Sequence, residues 1–162
     1  MTASQTDLPP QMWAEALPDD RPVLVTGAAG FVGAFVASRL LAAGKTVVGL
    51  DNLNAYYDPA LKHDRLAWLL PEPGFDFRRM DLADREGIAA LFAEHRFAHV
   101  VHLGAQAGVR YSIENPHAYA DANLTGFLNI LEGCRAVGCA HLVYASSSSV
   151  YGGNRKTPFR VS

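Results

Sequence analysis

Three glycines, Gly27, Gly30 and Gly33, stand at three-residue spacing in Gly27-Ala28-Ala29-Gly30-Phe31-Val32-Gly33, and a carboxylate follows at Asp51. Those residue types at that spacing suit a phosphate and a sugar. The first glycine permits a tight turn, the second lets the backbone approach a pyrophosphate, and the third lets a helix pack closely on a strand. The helix start then turns its unpaired N–H groups toward the phosphates. Asp51 can accept hydrogen bonds from ribose hydroxyls and would repel a 2′-phosphate, which favours NAD over NADP. Glycine also marks ordinary turns, and a strand-end aspartate can be simply solvated. The combination carries the dinucleotide reading.

Other candidates follow the same logic of position. Asp81-Leu82 and Leu103-Gly104-Ala105-Gln106 fall after runs that read as strands, where open α/β sheets place ligands. Asp81 can bond an adenine amino group, and Gly104 and Ala105 are small enough to let a dinucleotide pass. Phe31, Val32 and Asn52, inside the same motifs, complete the candidate cofactor set with Leu82, Leu103 and Gln106. Arg110 carries a guanidinium suited to a carboxylate or phosphate, or equally to solvent. Ser146-Ser147-Ser148-Ser149 reads on its own as a polar loop. The six histidines show no metal spacing, and His102, ending an apolar run, reads as a hydrogen-bonded structural residue. Trp68, Tyr56 and Tyr57 read as packing, with the tyrosine loop bordering the cofactor side. Cys134 and Cys139 form neither Cys-x-x-Cys nor a disulfide framework and suggest a reducing, cytoplasmic setting.

Alternating strands and helices must position these groups. Strands are expected at 23–26, 46–50, 75–78, 98–103 and 141–145, with helices over 31–43, 61–70, 84–95 and 116–137. Leu61, Leu66, Leu69 and Leu70 form the apolar face expected of the second helix, and Leu124, Phe127, Leu128 and Leu131 that of the last. The order implies right-handed crossovers and a parallel sheet: a Rossmann-like, doubly wound α/β fold of about five strands. Residues 1–20, polar and proline-interrupted, read as a flexible tail before a domain over 21–162.

Composition bounds the rest. The chain has 162 residues, 49% hydrophobic and 19% charged, with 14 Lys and Arg against 16 Asp and Glu for a net charge of −2. That suits one domain with a core and excludes a largely disordered chain. Near-neutrality gives no case for nucleic acid, and no run approaches the ~18 apolar residues of a membrane span.

Thr26 to Gly33, Asp51-Asn52-Leu53-Asn54, His102 to Ala107 and Ser146 to Gly152 together resemble the extended short-chain dehydrogenase/reductase family of NAD-dependent epimerases and dehydratases. Asn54-Ala55-Tyr56-Tyr57-Asp58, Gln106 to Ser112 and Asn154 to Phe159 are most similar to the UDP-glucuronate 4-epimerases within it. The resemblance runs from about Pro22 to Phe159. It implies NAD as cofactor, a UDP-sugar as substrate, and Ser147 as the catalytic residue that bonds the reacting hydroxyl. Ser148, Ser149 and Arg110 then become substrate-binding candidates, and Asn123 and Gly126 match an Asn-x-x-Gly that supports the active site. Related dehydratases and decarboxylases carry an acidic residue near these serines, so the all-serine stretch points to epimerisation.

The resemblance also implies a base from Tyr-x-x-x-Lys, which takes the hydroxyl proton while carbon 4 is transiently oxidised. None of the six tyrosines has Lys four residues on. The expectation is therefore a cofactor-binding part, inactive alone, without the substrate domain. A non-catalytic NAD-binding module and part of a nucleotide-sugar dehydratase are the alternatives. The last strand would form an apolar edge, which invites homodimers or edge-strand association.

Overall fold

The computed structural model describes residues 19–160. Most of the expected tail lies outside that range. Its last residues are held: Asp19 pairs with Arg21, which donates to the Arg96 carbonyl at 2.8 Å.

Five parallel strands form one sheet in the order β3-β2-β1-β4-β5. They are β1 (Val23–Thr26), β2 (Val47–Asp51), β3 (Phe75–Arg79), β4 (His99–His102) and β5 (His141–Tyr144). Every residue of β1 and β2 is buried, as apolar runs in the middle of a sheet covered on both faces must be. The chain is Rossmann-like and doubly wound. Helix α1 (Phe31–Ala42) links β1 to β2, α2 (Pro59–Leu69) links β2 to β3, and α3 (Arg85–His95) links β3 to β4. Between β4 and β5 run α4 (Tyr111–Glu114), α5 (Pro116–Ala120), a π-helical turn (Asp121–Thr125) and α6 (Gly126–Val137). No helix among the described residues is long and apolar enough to cross a membrane.

Local chemistry explains the boundaries. Asp58 caps α2 through the Ala60 N–H at 2.9 Å, with Pro59 in the first turn, so the helix starts earlier than its leucines suggest. Asp84 caps α3 through the Gly87 N–H at 2.9 Å. Gly44, at φ +76°, ends the turn after α1, and Gly138, at φ +65°, ends α6.

Two apolar faces differ from expectation. In α2, Leu66 and Leu69 are buried but Leu61 and Leu70 are exposed. In the π-helical turn and α6, Leu124, Leu128 and Leu131 face away from the core; Leu124 is 72% exposed. The buried side of that helix is instead Gly126, Asn129, Ile130 and Gly133. Small residues allow the close approach. A Cβ on Gly133 would lie 2.5 Å from the Phe92 ring of α3, and one on Gly126 2.6 Å from Leu82 Cβ. Helix–helix contact therefore follows the glycine side, and the leucine stripe is left bare. The outer strand β5 is largely exposed, with Leu142 turned to the core.

Gly133→Ala forces a methyl into the Phe92 ring. The substitution should cost about 1–3 kcal/mol, as overpacked cores do, seen as a lower urea midpoint. An unchanged midpoint would show that α3 and α6 separate freely.

Candidate functional site

The sheet order changes direction between β1 and β4: the connection after β1 leaves toward one face, and that after β4 toward the other. A crevice at the carboxyl ends of the strands is the consequence. It holds a cavity of about 290 Å³. Its lining includes Gly27, Gly30, Phe31, Val32 and Gly33 from the glycine loop, Asp51 and Asn52 from the end of β2, and Asp81 and Leu82 after β3. Leu103, Gly104, Ala105 and Gln106 line it after β4. All thirteen cofactor candidates of the sequence thus share one cavity. An open hollow of about 700 Å³ adjoins it and shares Asn52, Asn54, Tyr56, Asp81, Gln106 and Ala122.

The glycine loop has the geometry its spacing implies. Gly27 lies at φ +69°, a conformation that L side chains rarely adopt. A Cβ on Gly33 would stand 2.1 Å from the Gly27 carbonyl oxygen, so α1 can begin here only without a side chain at that position. No side chain caps α1 and its first turn carries no acidic residue. Phe31 is exposed, with the Arg65 guanidinium 6.0 Å from its ring centre. Arg65 also donates to the Ala29 carbonyl at 3.3 Å and ties α2 to the loop.

Polar side chains fix the remaining walls. Thr26 Oγ1 accepts the Leu103 N–H at 3.1 Å and the Gly104 N–H at 3.0 Å. Its single proton then goes to His102 Nδ1 at 2.8 Å, leaving the ring proton on Nε2. His102 is buried, stacked on Phe127, and burial pushes its imidazole down to about 4. Asn123, in the π-helical turn, grips Gln106 twice: it accepts the Gln106 N–H at 2.8 Å and donates to the Gln106 carbonyl at 2.9 Å. Asn129 donates to the Leu82 carbonyl at 2.8 Å. One helical segment therefore pins the loops after both β3 and β4. Asn52 donates to Asp81 at 2.8 Å, joining the ends of β2 and β3.

Asp51 is buried, with the Leu53 N–H on Oδ1 at 2.9 Å and the Ala29 N–H on Oδ2 at 3.3 Å. Leu53 sits at φ +56°, a strained conformation for leucine. Lys62 of α2 also reaches Asp51, 3.2 Å from Oδ1. The sequence reading missed Lys62 because it sits inside a helix of ordinary composition; only the fold brings it behind Asp51. Tyr56 and Tyr57 line the cavity too, and Tyr56 lies against Tyr111 with ring centres 4.8 Å apart. Desolvation holds the Tyr56 phenol above its usual range, the opposite of what a general base needs.

The serines and Arg110 are placed differently. Ser147, Ser148 and Ser149 are exposed in and before a 3₁₀ turn (Ser148–Tyr151), where Ser147 Oγ accepts the Ser149 N–H at 3.3 Å. Arg110 is exposed at the start of α4. None of the four lines the cavity. Among the described residues, no three His, Cys, Asp or Glu side chains group as metal ligands.

A family model described as GDP-mannose 4,6 dehydratase matches residues 24–161. An uncharacterised 37.6 kDa protein of Escherichia coli O111:H- is 65% identical over 136 residues, covering 84% of this chain and 40% of that protein. UDP-glucuronate 4-epimerase 4 of Arabidopsis thaliana is 53% identical over 138 residues, covering 85% of this chain and 31% of its own length. The structure of UDP-glucuronic acid 4-epimerase from Bacillus cereus, in complex with UDP-glucuronic acid and NAD, superposes with a TM-score of 0.73 at 31% identity. It covers 83% of this chain and 43% of that one. The chain thus spans about two-fifths or less of the length of these relatives.

A pH response follows from His102. The unfolded imidazole takes up a proton near pH 6.5, whereas the folded one stays neutral until near pH 4. Stability is therefore full above about pH 6.5 and falls as pH drops toward 4, by about 3 kcal/mol at most. His102→Asn, which keeps an acceptor for Thr26, should flatten that part of a stability-against-pH curve from urea denaturation. An equally steep curve in the variant would assign the slope to other groups.

Proposed function

The chain belongs to the GDP-mannose 4,6 dehydratase family, within the extended short-chain dehydrogenases/reductases, and from that premise we propose that it is the NAD-binding part of a nucleotide-sugar 4-epimerase acting on UDP-glucuronate. One observation carries the reading furthest. The glycine cradle, Asp51 and the loops after β3 and β4 meet in one cavity at the point where the sheet changes direction. The residues present fit a dinucleotide: a Cβ at Gly27 or Gly33 would strike neighbouring backbone, so only glycine permits the tight turn and the close helix–strand approach that a pyrophosphate cradle needs. Bound there, NAD supplies a reversible hydride acceptor.

In this reading each wall has a task. Gly27, Gly30, Phe31, Val32 and Gly33 hold the pyrophosphate by backbone N–H groups and the start of α1. Asp51 and Asn52 take the adenosine ribose, and Asp81 with Leu82 the adenine. Leu103, Gly104, Ala105 and Gln106 lie under the nicotinamide side. Ser147 bonds the reacting hydroxyl, while Ser148, Ser149 and Arg110 bind the anionic substrate. The family model's description names a dehydratase, but the all-serine stretch supports epimerisation. No tyrosine of the 162 residues has Lys four positions on, and Tyr56 is unsuited to proton transfer, so these residues bind the cofactor without supplying the base.

Calorimetry tests the cofactor assignment. NAD⁺ should bind and NADP⁺ more weakly, and Asp51→Ala should lower NAD⁺ affinity at least about tenfold while narrowing the difference between the two. No binding of either dinucleotide would overturn the reading. The exposed β5 edge supports self-association. Sedimentation velocity should show a concentration-dependent larger species that Val143→Lys disperses; a monomer at every concentration would remove this expectation.

A further inference from the structure

Helix α6 ends in a Schellman turn that holds both cysteines of the chain. Gly138 supplies its left-handed residue at φ +65°. The Gly138 N–H donates to the Arg135 carbonyl at 3.4 Å, and the Cys139 N–H donates back to the Cys134 carbonyl at 2.9 Å. The second bond folds the chain onto itself. It brings together the side chains at its two ends, where such turns often place an apolar contact. Here both ends are free thiols. The Cys139 thiol is hydrogen-bonded to that of Cys134. Both pack against the core cluster that contains Phe92, Phe97 and Ile130. Each is half-buried beside the exposed Arg135, Ala136 and Ala140, within reach of a small reagent.

We propose that Cys134 and Cys139 form a redox site that closes reversibly to a disulfide across the end of α6, with a small disulfide of the glutathione class as oxidant. The inference is independent of the NAD reading. Burial pushes the Cys134 thiol up to about 12, and charge on Cys139 adds to the effect, so Cys139 attacks first. Its thiolate bonds to one sulfur of the small disulfide, the S–S bond of that reagent breaks, and one small thiol leaves and takes a proton from water. Cys134 then gives its proton to water and attacks Cys139 Sγ, and the second small thiol leaves. Two protein thiols are oxidised, and one small disulfide is reduced to two thiols. In the mixed disulfide Cys139 carries no charge to oppose ionisation of Cys134, and proximity offsets a small thiolate fraction. Closure removes the Cys139 S–H, which donates to the Ala98 carbonyl at 3.2 Å and the His141 carbonyl at 3.4 Å. The Ala98 carbonyl keeps the N–H groups of Ala140 at 2.9 Å and His141 at 3.1 Å, and His141 is exposed to water, so no buried acceptor is stranded. In a reducing setting the thiols are the resting state and the bridge is a transient response. It fastens the far end of the helix whose Asn129 holds the loop after β3.

The experiment incubates the full chain in glutathione buffers of rising oxidised fraction, quenches with an alkylating reagent and reads intact mass. The oxidised chain should be about 2 Da lighter than the reduced chain and take up no alkyl label, because two thiol hydrogens are gone. Dithiothreitol should restore both labels, and peptide mapping should place the bridge between Cys134 and Cys139. Two alkylatable thiols persisting in excess oxidised glutathione, a reaction that stops at the glutathione adduct, or a bridge between two chains overturns the proposal. This measurement needs no variant. Cys134→Ser should stop at the adduct on Cys139, with thermal midpoint reporting that it folds. Cys139→Ser should form its adduct at least about tenfold more slowly than Cys134→Ser does, because the remaining thiol is the buried one. Equal rates in the two variants overturn the assignment of Cys139 as the attacking thiol.

Discussion

Gly27 and Gly104 come so close that a Cβ on Gly27 would stand 2.8 Å from the Gly104 amide nitrogen. That backbone contact is the constraint on which the ligand-facing edge depends. The two residues begin connections that leave on opposite faces of the sheet, so they must touch before they part. Thr26 holds them there, its hydroxyl accepting from Leu103 and Gly104 and donating to His102. A hydroxyl does this work well because it has two acceptor sites and one rotatable donor. Removing the hydroxyl would strand the Gly104 amide in a partly buried place, where an unsatisfied group costs about 1–3 kcal/mol, while the Leu103 N–H keeps the Thr26 carbonyl at 3.3 Å.

Outward from that contact, each wall of the cavity is tied by a bond that spans the chain rather than a neighbour. Asn123 reaches Gln106, Asn129 reaches Leu82, Asn52 reaches Asp81, and Lys62 reaches Asp51. The loops are irregular, but their ends are fixed to helices and strands. Loops positioned by a rigid scaffold are the common way to hold binding groups in place. The apolar core contributes by letting the helices approach. Gly126 and Gly133 bring α6 against Leu82 and Phe92, and that approach puts Asn129 within reach of the Leu82 carbonyl.

The sequence made some of this legible and hid the rest for physical reasons. Gly33 and Asp84 act on atoms within a few residues, so local pattern places those helix starts, whereas the Asp58 cap was missed because the leucines begin only at Leu61. Strands β1 and β2 were readable because burial on both faces leaves an apolar run. The face of α6 was not: Leu124, Leu128 and Leu131 form a sound helical stripe, but periodicity marks a stripe without saying what it meets. Glycines won the contact with α3 because closeness, not hydrophobicity, sets that interface. Lys62 was hidden for a different reason. Its meaning lies in a pairing across 11 residues that only the fold creates, and helix composition carries no trace of it.

The two halves of the proposed chemistry differ in how firmly these residues build them. The dinucleotide walls are cross-tied and largely preformed, so binding there pays little to order the protein. The serine segment is exposed, and among the described residues its bonds stay within the turn itself. Orientation of a reacting hydroxyl demands placement to about half an ångström, held by packing around the side chain. Ser147 lacks such packing here, whereas Asp51 has it in full. The leucine stripe on α6 and the bare face of β5 lie on this same side of the β1–β4 switch point. The walls assigned to the cofactor in this proposal are therefore held in place by the fold described. To hold a reacting hydroxyl as proposed, Ser147 would need packing beyond the one bond to the Ser149 N–H that the described residues give it.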